Sequence, residues 1–322
     1  MDNGMRVLIT GGAGFIGSNF IRRFVADNPD SEVVVLDKLT YAGRQENLTG
    51  IPTDITFVLG DITKPEDLRA AGRCDAIINF AAETHVDRSL DHAPDFALSN
   101  FYGTCTLLEF ARKKEVSRFI QISTDEVYGS REQGCFSEPD RLNPSSPYSA
   151  SKSGADLLAL AYHRTYGLPV MITRSTNNFG PYQYPEKLIP LLILRAIRDE
   201  PLPIYGNGKN VRDWIYVEDN CTAIANVFDK GTPGTIYNIG AGNELSNIEI
   251  ARYILGTLRK SPDLIRFVPD RPGHDFRYAV TTDRIRALGW KPAFPFEEGL
   301  RKTIAWYRDH EPWWRPLISP SS

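Results

Sequence analysis

The chain of 322 residues has little that would tie it to a metal, a disulfide framework or a membrane. Its four cysteines, Cys74, Cys105, Cys135 and Cys221, lie far apart and form no C-x-x-C pair. That excludes the usual metal-ligand spacing and a disulfide-stapled fold, and it fits reduced thiols. No apolar run approaches the ~20 residues of a membrane span. Neither sign of charge dominates: the net charge is −3 and the pI about 6.0, so no basic field recruits nucleic acid. There is no internal repeat and no low-complexity segment. The N-terminus runs straight into a strand and leaves no room for a signal peptide, so the expected compartment is the cytoplasm. The tail Ser319–Ser322 is expected to fray.

What is present is an ordinary globular composition, 42% hydrophobic and 24% charged, with enough length for one large α/β unit and a smaller one. Short apolar runs alternate with helical patterns, which reads as βαβ units around a parallel sheet. Strands are expected at 6–10, 33–37, 55–59, 76–80, 118–122, 170–173 and 235–240, and helices at 14–26, about 95–114 and 147–166. The fold class is therefore α/β, a Rossmann-type doubly wound parallel sheet with a smaller, mostly C-terminal α/β substrate lobe. Residues 1–180 are expected to bind the dinucleotide, with strands from about 211–240 returning to them. Residues 181–210 and 241–322, where proline and glycine become dense, are expected to form the lobe. Trp306, Tyr307, Trp313 and Trp314 suit core packing or a lobe edge.

Gly11, Gly14 and Gly17 stand at the first strand–helix junction with G-x-x-G-x-x-G spacing. Glycine there allows a tight turn and a close approach of backbone amides to a pyrophosphate. Asp37 ends the second strand twenty residues beyond Gly17, where a carboxylate binds a ribose 2′-hydroxyl and repels a 2′-phosphate. NAD is thus favoured over NADP. Asp61-Ile62 closes the third strand, where adenine is commonly flanked.

Asp125 and Glu126 follow the strand ending at Ile122. Two adjacent carboxyls cannot both ionise cheaply, so one can act as acid and the other as base; a solvated turn is the plain alternative. Tyr148 and Lys152 stand at i and i+4 on an expected helix, which puts phenol and ammonium on one face. A neighbouring cation favours phenolate and makes tyrosine a usable base. About half such a pair is expected by chance, and the chain has a second, Tyr205 with Lys209. That copy encloses Gly206-Asn207-Gly208, a turn, and lacks the shared face.

The glycine motif, Tyr148-Lys152, Asp37–Gly43, Ala81–Ser89, Ser123–Gly129, Asn177–Gln183, Pro185–Pro190 and Asp270–Asp275 together resemble the dTDP-glucose 4,6-dehydratases. These belong to the extended short-chain dehydrogenase/reductases, and the likeness runs from about residue 5 to 315. It implies a homodimer built on the helices at 95–114 and 147–166, although their apolar positions could equally be one chain's own core. It also implies a tightly bound NAD, regenerated each turnover, and a nucleoside-diphosphate hexose as substrate. The resemblance assigns catalysis to Thr124, Asp125, Glu126, Tyr148 and Lys152, with Glu126 as the C5 base and Asp125 as the acid at the 6-hydroxyl. The sequence supports the pair more strongly than that order. Cofactor contacts implied are Gly11, Gly14, Phe15, Ile16, Gly17, Asp37, Lys38, Leu39, Thr40, Asp61, Ile62, Ala81, Ala82, Ser99, Tyr148, Lys152 and Asn178. Ser99 and Phe179 stand where threonine and tyrosine are more usual in the family; the second loses a hydroxyl.

Substrate contacts implied by the same likeness are Thr84, His85, Thr124, Asn177, Lys187, Leu188, Pro203, Ile204, Tyr205, Arg212, Asn247, Arg271 and His274. Arginine suits bidentate phosphate binding, while lysine acts as a point charge. His85 is equally open to a scaffold role. The residues that read the nucleotide base are not legible, so UDP- or CDP-glucose stays open beside dTDP-glucose. A 4-epimerase or decarboxylase on the same fold would not need both acids. A non-catalytic dinucleotide-binding protein would need none of the five catalytic candidates.

Overall fold

A computed structural model describes residues 4–270 and 274–318. The tail from Ser319 and the candidate contact Arg271 lie outside them. The first half runs β1 (Arg6–Thr10), α1 (Phe15–Asp27), β2 (Glu32–Asp37), β3 (Thr56–Leu59), α2 (Pro65–Ala70), β4 (Ala76–Asn79), α3 (Val86–Asp91), α4 (Ala93–Phe96), a π-helical turn (Ala97–Tyr102), α5 (Gly103–Lys114), β5 (Arg118–Thr124) and α6 (Pro147–Tyr166). The second half runs β6 (Val170–Ser175), β7 (Asn177–Phe179), α7 (Leu188–Ile197), β8 (Leu202–Tyr205), β9 (Val211–Tyr216), α8 (Val217–Lys230), β10 (Ile236–Ile239), β11 (Glu244–Ser246), α9 (Asn247–Leu258), β12 (Ile265–Val268), α10 (Asp283–Ala287), α11 (Phe296–Asp309) and α12 (Glu311–Ile318).

Seven strands form one parallel sheet in the order β10-β6-β5-β4-β1-β2-β3. β1, β4 and β6 are apolar along most of their length because helices cover both faces of the sheet. One face packs on α1 and α8 through Phe20, Phe24, Ile224 and Phe228. The other packs on α2, α5 and α6 through Leu68, Leu107, Leu108 and Ala159. The strand order reverses beside β1, so the carboxyl ends of β1 and β4 frame a crevice.

A third core, with Leu192, Ile193, Ile204, Trp214, Ile254 and Tyr307, holds α7, α9 and α11 together near the parallel pair β8 and β12. One expectation fails here. β9 does not return to the large sheet but lies between β7 and β11 in a three-stranded sheet. Only β10 rejoins the large sheet, with α8 packed against α1 beneath it. β9 carries Arg212 and Asp213, both buried, which are satisfied by the Asp275 carbonyl and the Asn243 N–H of the segments beside it.

Candidate active site

The loop after β1 is shaped by contacts that only glycine permits. Gly11 has φ +68°, and a Cβ on it would stand 2.5 Å from the Ala81 amide nitrogen; one on Gly17 would stand 2.5 Å from the Gly11 carbonyl oxygen. Gly14 caps α1 without a side chain, so the first-turn amides stay available to an anion. The buried Asp37 carboxylate accepts the Ala13 N–H at 3.0 Å and the Leu39 N–H at 2.9 Å. Burial pushes its pKa up, against those two N–H groups and Lys38. Lys38 in turn lies 3.4 Å from Glu83 and 3.9 Å from Asp61.

Two asparagines that sequence reasoning missed stiffen this end. Asn79 accepts from Thr10 Oγ1 at 2.6 Å and donates to Gln121 at 2.9 Å, which locks the ends of β1, β4 and β5. Asn100, in the π-helical turn, grips both the N–H and the C=O of Glu83 and donates to Ser151 Oγ on α6 at 2.9 Å. Their signal was weak: a buried amide announces itself only through its partners, which lie in other segments.

α6 starts with a capping box between Ser146 and Ser149 and has Pro147 in its first turn, which fixes where Tyr148 emerges. One turn later, buried Lys152 donates to the Ile122 carbonyl on β5 at 2.6 Å. Thr124 caps the short 3₁₀ turn Asp125–Tyr128 by accepting the Glu126 N–H at 3.3 Å, and it lines the same cavity as Tyr148. Asp125 is buried and Glu126 half-buried. Thr124 donates to Asp125 Oδ1 at 3.3 Å, while Oδ2 has no partner among the described residues.

Burial, Glu126 and then Asp213 push the Asp125 carboxyl well above the usual range, with Arg212 opposing. That environment favours the neutral acid over the carboxylate. Burial pushes Lys152 down to about 8, with Asp156 opposing. The expected lowering of Tyr148 by Lys152 is not what the chain alone produces: burial, Glu126 and Asp125 drive the phenol upward. A cationic ring in the cavity would oppose that rise.

A single cavity is lined by Gly11, Gly14, Phe15, Ile16, Gly17, Asp37, Lys38, Thr40, Asp61, Ile62, Ala81, Ala82 and Ser99, together with Thr124, Asp125, Glu126, Tyr148, Lys152 and Asn178. Thr84, Asn177 and Lys187 line it too, with Lys187 Nζ donating to the Thr84 carbonyl at 2.9 Å. Buried Ser123 Oγ and Asn178 Oδ1 have no partner among the described residues, as polar atoms reserved for a ligand would not. The glycine cradle, open helix amides, Asp37 and these atoms fit a dinucleotide.

Leu39, His85, Leu188, Pro203, Ile204, Tyr205, Arg212, Asn247 and His274 do not line this cavity. The backbone of Leu39 serves Asp37 instead. His85 Nδ1 accepts the Arg88 N–H and so caps α3, while Nε2 lies 3.7 Å from Glu186. Ile204 is sealed in the lobe core, so its side chain is closed to any ligand, and Leu188 packs on that core. Tyr205 and His274 meet edge-on at 6.2 Å on the lobe. Arg212 is turned to the Asp275 and Phe276 carbonyls and lies 4.4 Å over the ring of Tyr278. Tyr278, another residue the sequence did not reveal, donates to Asp275, and Glu126 is the foremost charge raising its pKa. It is far from Glu126 in the chain, so no spacing could pair them.

The family model for GDP-mannose 4,6 dehydratase matches residues 8–303. A dTDP-glucose 4,6-dehydratase of Streptomyces niveus is 50% identical over 325 residues, covering 98% of this chain and 96% of that protein. A low-salt glycan biosynthesis protein of Haloferax volcanii is 54% identical over 308 residues, covering 94% of this chain and 98% of the relative. The crystal structure of a dTDP-glucose 4,6-dehydratase from Streptomyces venezuelae, solved with NAD bound, superimposes with a TM-score of 0.95 at 50% identity over 97% of this chain and 100% of that one. With the fold, the glycine cradle and the cavity already in hand, these matches show that the chain belongs to the dTDP-glucose 4,6-dehydratase family of the extended short-chain dehydrogenase/reductases.

Proposed function

We propose that the chain is a dTDP-glucose 4,6-dehydratase that yields the 4-keto-6-deoxy sugar and water without net redox change. The observation that carries this is Asp125, buried beside Glu126 in the cavity that also holds Tyr148 and Thr124. A 4-epimerase has no work for that acid. NAD, when bound by the glycine cradle and Asp37, accepts hydride from C4 and returns it at C6. Tyr148 takes the proton of the 4-hydroxyl, which Thr124 holds by a hydrogen bond. Lys152 keeps positive charge beside the phenol's helix turn. Oxidation at C4 makes the C5 proton acidic, and Glu126 removes it while Asp125 protonates the departing 6-hydroxyl. Lys187 faces the same cavity as a point charge for the substrate's diphosphate.

Residues 1–180 with the segment around β10 are read as the dinucleotide-binding part, and the remainder as the substrate lobe. A homodimer is supported by apolar exposure along the π-helical turn and α6: Leu98 (54% exposed), Phe101 (44%), Tyr102 (50%) and Leu157 (58%). Four unpaired cysteines and the lack, among the described residues, of a helix able to cross a membrane support a cytoplasmic reading. Incubation with dTDP-, UDP- and CDP-glucose, followed by mass, tests the proposal. Loss of one water from dTDP-glucose with no net NADH is expected. A product of unchanged mass overturns the dehydratase.

A further inference from the structure

The two catalytic groups sit on different elements: Tyr148 and Lys152 on α6, Asp125 and Glu126 on the 3₁₀ turn after β5. Both must address one sugar ring, at C4 and at C5–C6, within a fraction of an ångström. One buried assembly joins them. Asp156 continues the face of α6 that carries Tyr148 and Lys152, at steps of four residues. Its Oδ2 accepts from Arg174 Nε at 2.9 Å, and the two side chains are 0% and 2% exposed. Arg174 projects from β6, the strand beside β5, and its guanidinium lies 4.7 Å over the ring of Tyr128. Tyr128 is the last residue of the acid turn. Its hydroxyl donates to Asn238 on β10 at 2.8 Å, and its ring stacks on Phe136 at 5.2 Å.

We propose that Arg174 is a positioning residue that ties the acid turn to the Tyr148–Lys152 helix through Tyr128 and Asp156. The inference rests on the dehydratase reading only for its catalytic readout. A buried ion pair is a poor investment in stability, since apolar side chains of similar volume often serve as well or better. Arg174 is distinguished by joining an anion on one catalytic element to an aromatic ring on the other. A planar cation is suited to that double contact, and lysine is not.

Arg174→Lys keeps the charge against Asp156 and gives up the planar stack on Tyr128. The double variant Asp156→Leu/Arg174→Met removes both charges and so leaves neither unpaired. Two readouts separate positioning from mere support. Hydrogen exchange in the ligand-free protein is expected to speed up at least about tenfold across 124–129 in Arg174→Lys, with the middle of α6 as protected as in the unaltered chain. In single turnovers with dTDP-glucose, overall dehydration is expected to fall about tenfold or more while C4 oxidation, followed as transient NADH absorbance, changes far less. The double variant is expected to fold and to show the same split. Unchanged exchange across the turn, or equal slowing of both steps, overturns the proposal. If the unaltered protein fails to dehydrate dTDP-glucose, the functional reading falls, and the exchange result still decides whether Arg174 holds the turn.

Discussion

The phenol–ammonium pair and the carboxyl pair show two ways of building reactive groups. Tyr148 and Lys152 ride on α6, twenty residues long with a capping box at its start and Gly167 in a left-handed conformation at its end. Their relative position is a property of helix geometry. Asp125 and Glu126 occupy a turn of four residues whose placement depends on Thr124 beneath it, Arg174 beside it and Asn238 across it. Their chemistry comes from unequal burial, not from spacing. A helix makes a site rigid from within its own segment, whereas a turn borrows rigidity from the rest of the molecule.

Replacing Tyr148 by Phe is expected to give the largest effect, a loss of about a thousandfold or more in turnover with folding intact, read by product mass and a thermal melt. Retention of turnover would mean that the helical pair is not the C4 base. Glu126→Gln should lose about a hundredfold or more in turnover and abolish deuterium entry at C5 in D₂O, while transient NADH still forms. Persistent C5 exchange would move the base elsewhere.

Asp125→Asn tests the carboxyl pair from the side of stability. Its activity is expected to drop about a hundredfold. The folded pKa of Asp125 is raised above the unfolded value near 4, so its stabilising contribution is complete below about pH 4 and is lost as pH rises toward the raised folded value. The Asn variant should therefore gain melting temperature over the unaltered protein between pH 4 and neutrality. A variant that gains nothing would mean that Asp125 is not held protonated. Lys152 has the opposite sign. Its pKa falls from 10.5 to about 8 on folding, so its contribution is lost as pH falls through about 8 and is restored between 8 and 10.5. Lys152→Met should flatten the change in melting temperature across that window. The smallest effect belongs to the helix start: Ser146→Ala removes one half of the capping box and should cost about 1 kcal/mol in denaturant unfolding with turnover preserved.

The same contrast explains what the sequence could reveal. The βαβ alternation, the glycine turn and Tyr148-Lys152 are local patterns, set by periods of 2 and 3.6 residues and by backbone limits. They were legible in a single segment. β9 misled because a segment of strand length does not say which sheet it joins; its partners β7 and β11 lie in other parts of the chain. His85 and Ile204 matched a family motif, yet one caps a helix and the other fills a core. Asn79, Asn100, Arg174 and Tyr278 act through partners in distant segments, so nothing near them in the chain announced their roles.

The bond between Tyr128 and Asn238 has a consequence for biogenesis. As the chain leaves the ribosome, the six strands β1 to β6 and the glycine cradle are complete by residue 175, whereas Asn238 has not yet been made. The acid turn also waits for the Phe136 N–H to reach the Ala279 carbonyl at 2.8 Å. The acid turn can therefore take its fixed placement only after residues more than a hundred positions downstream have been synthesised.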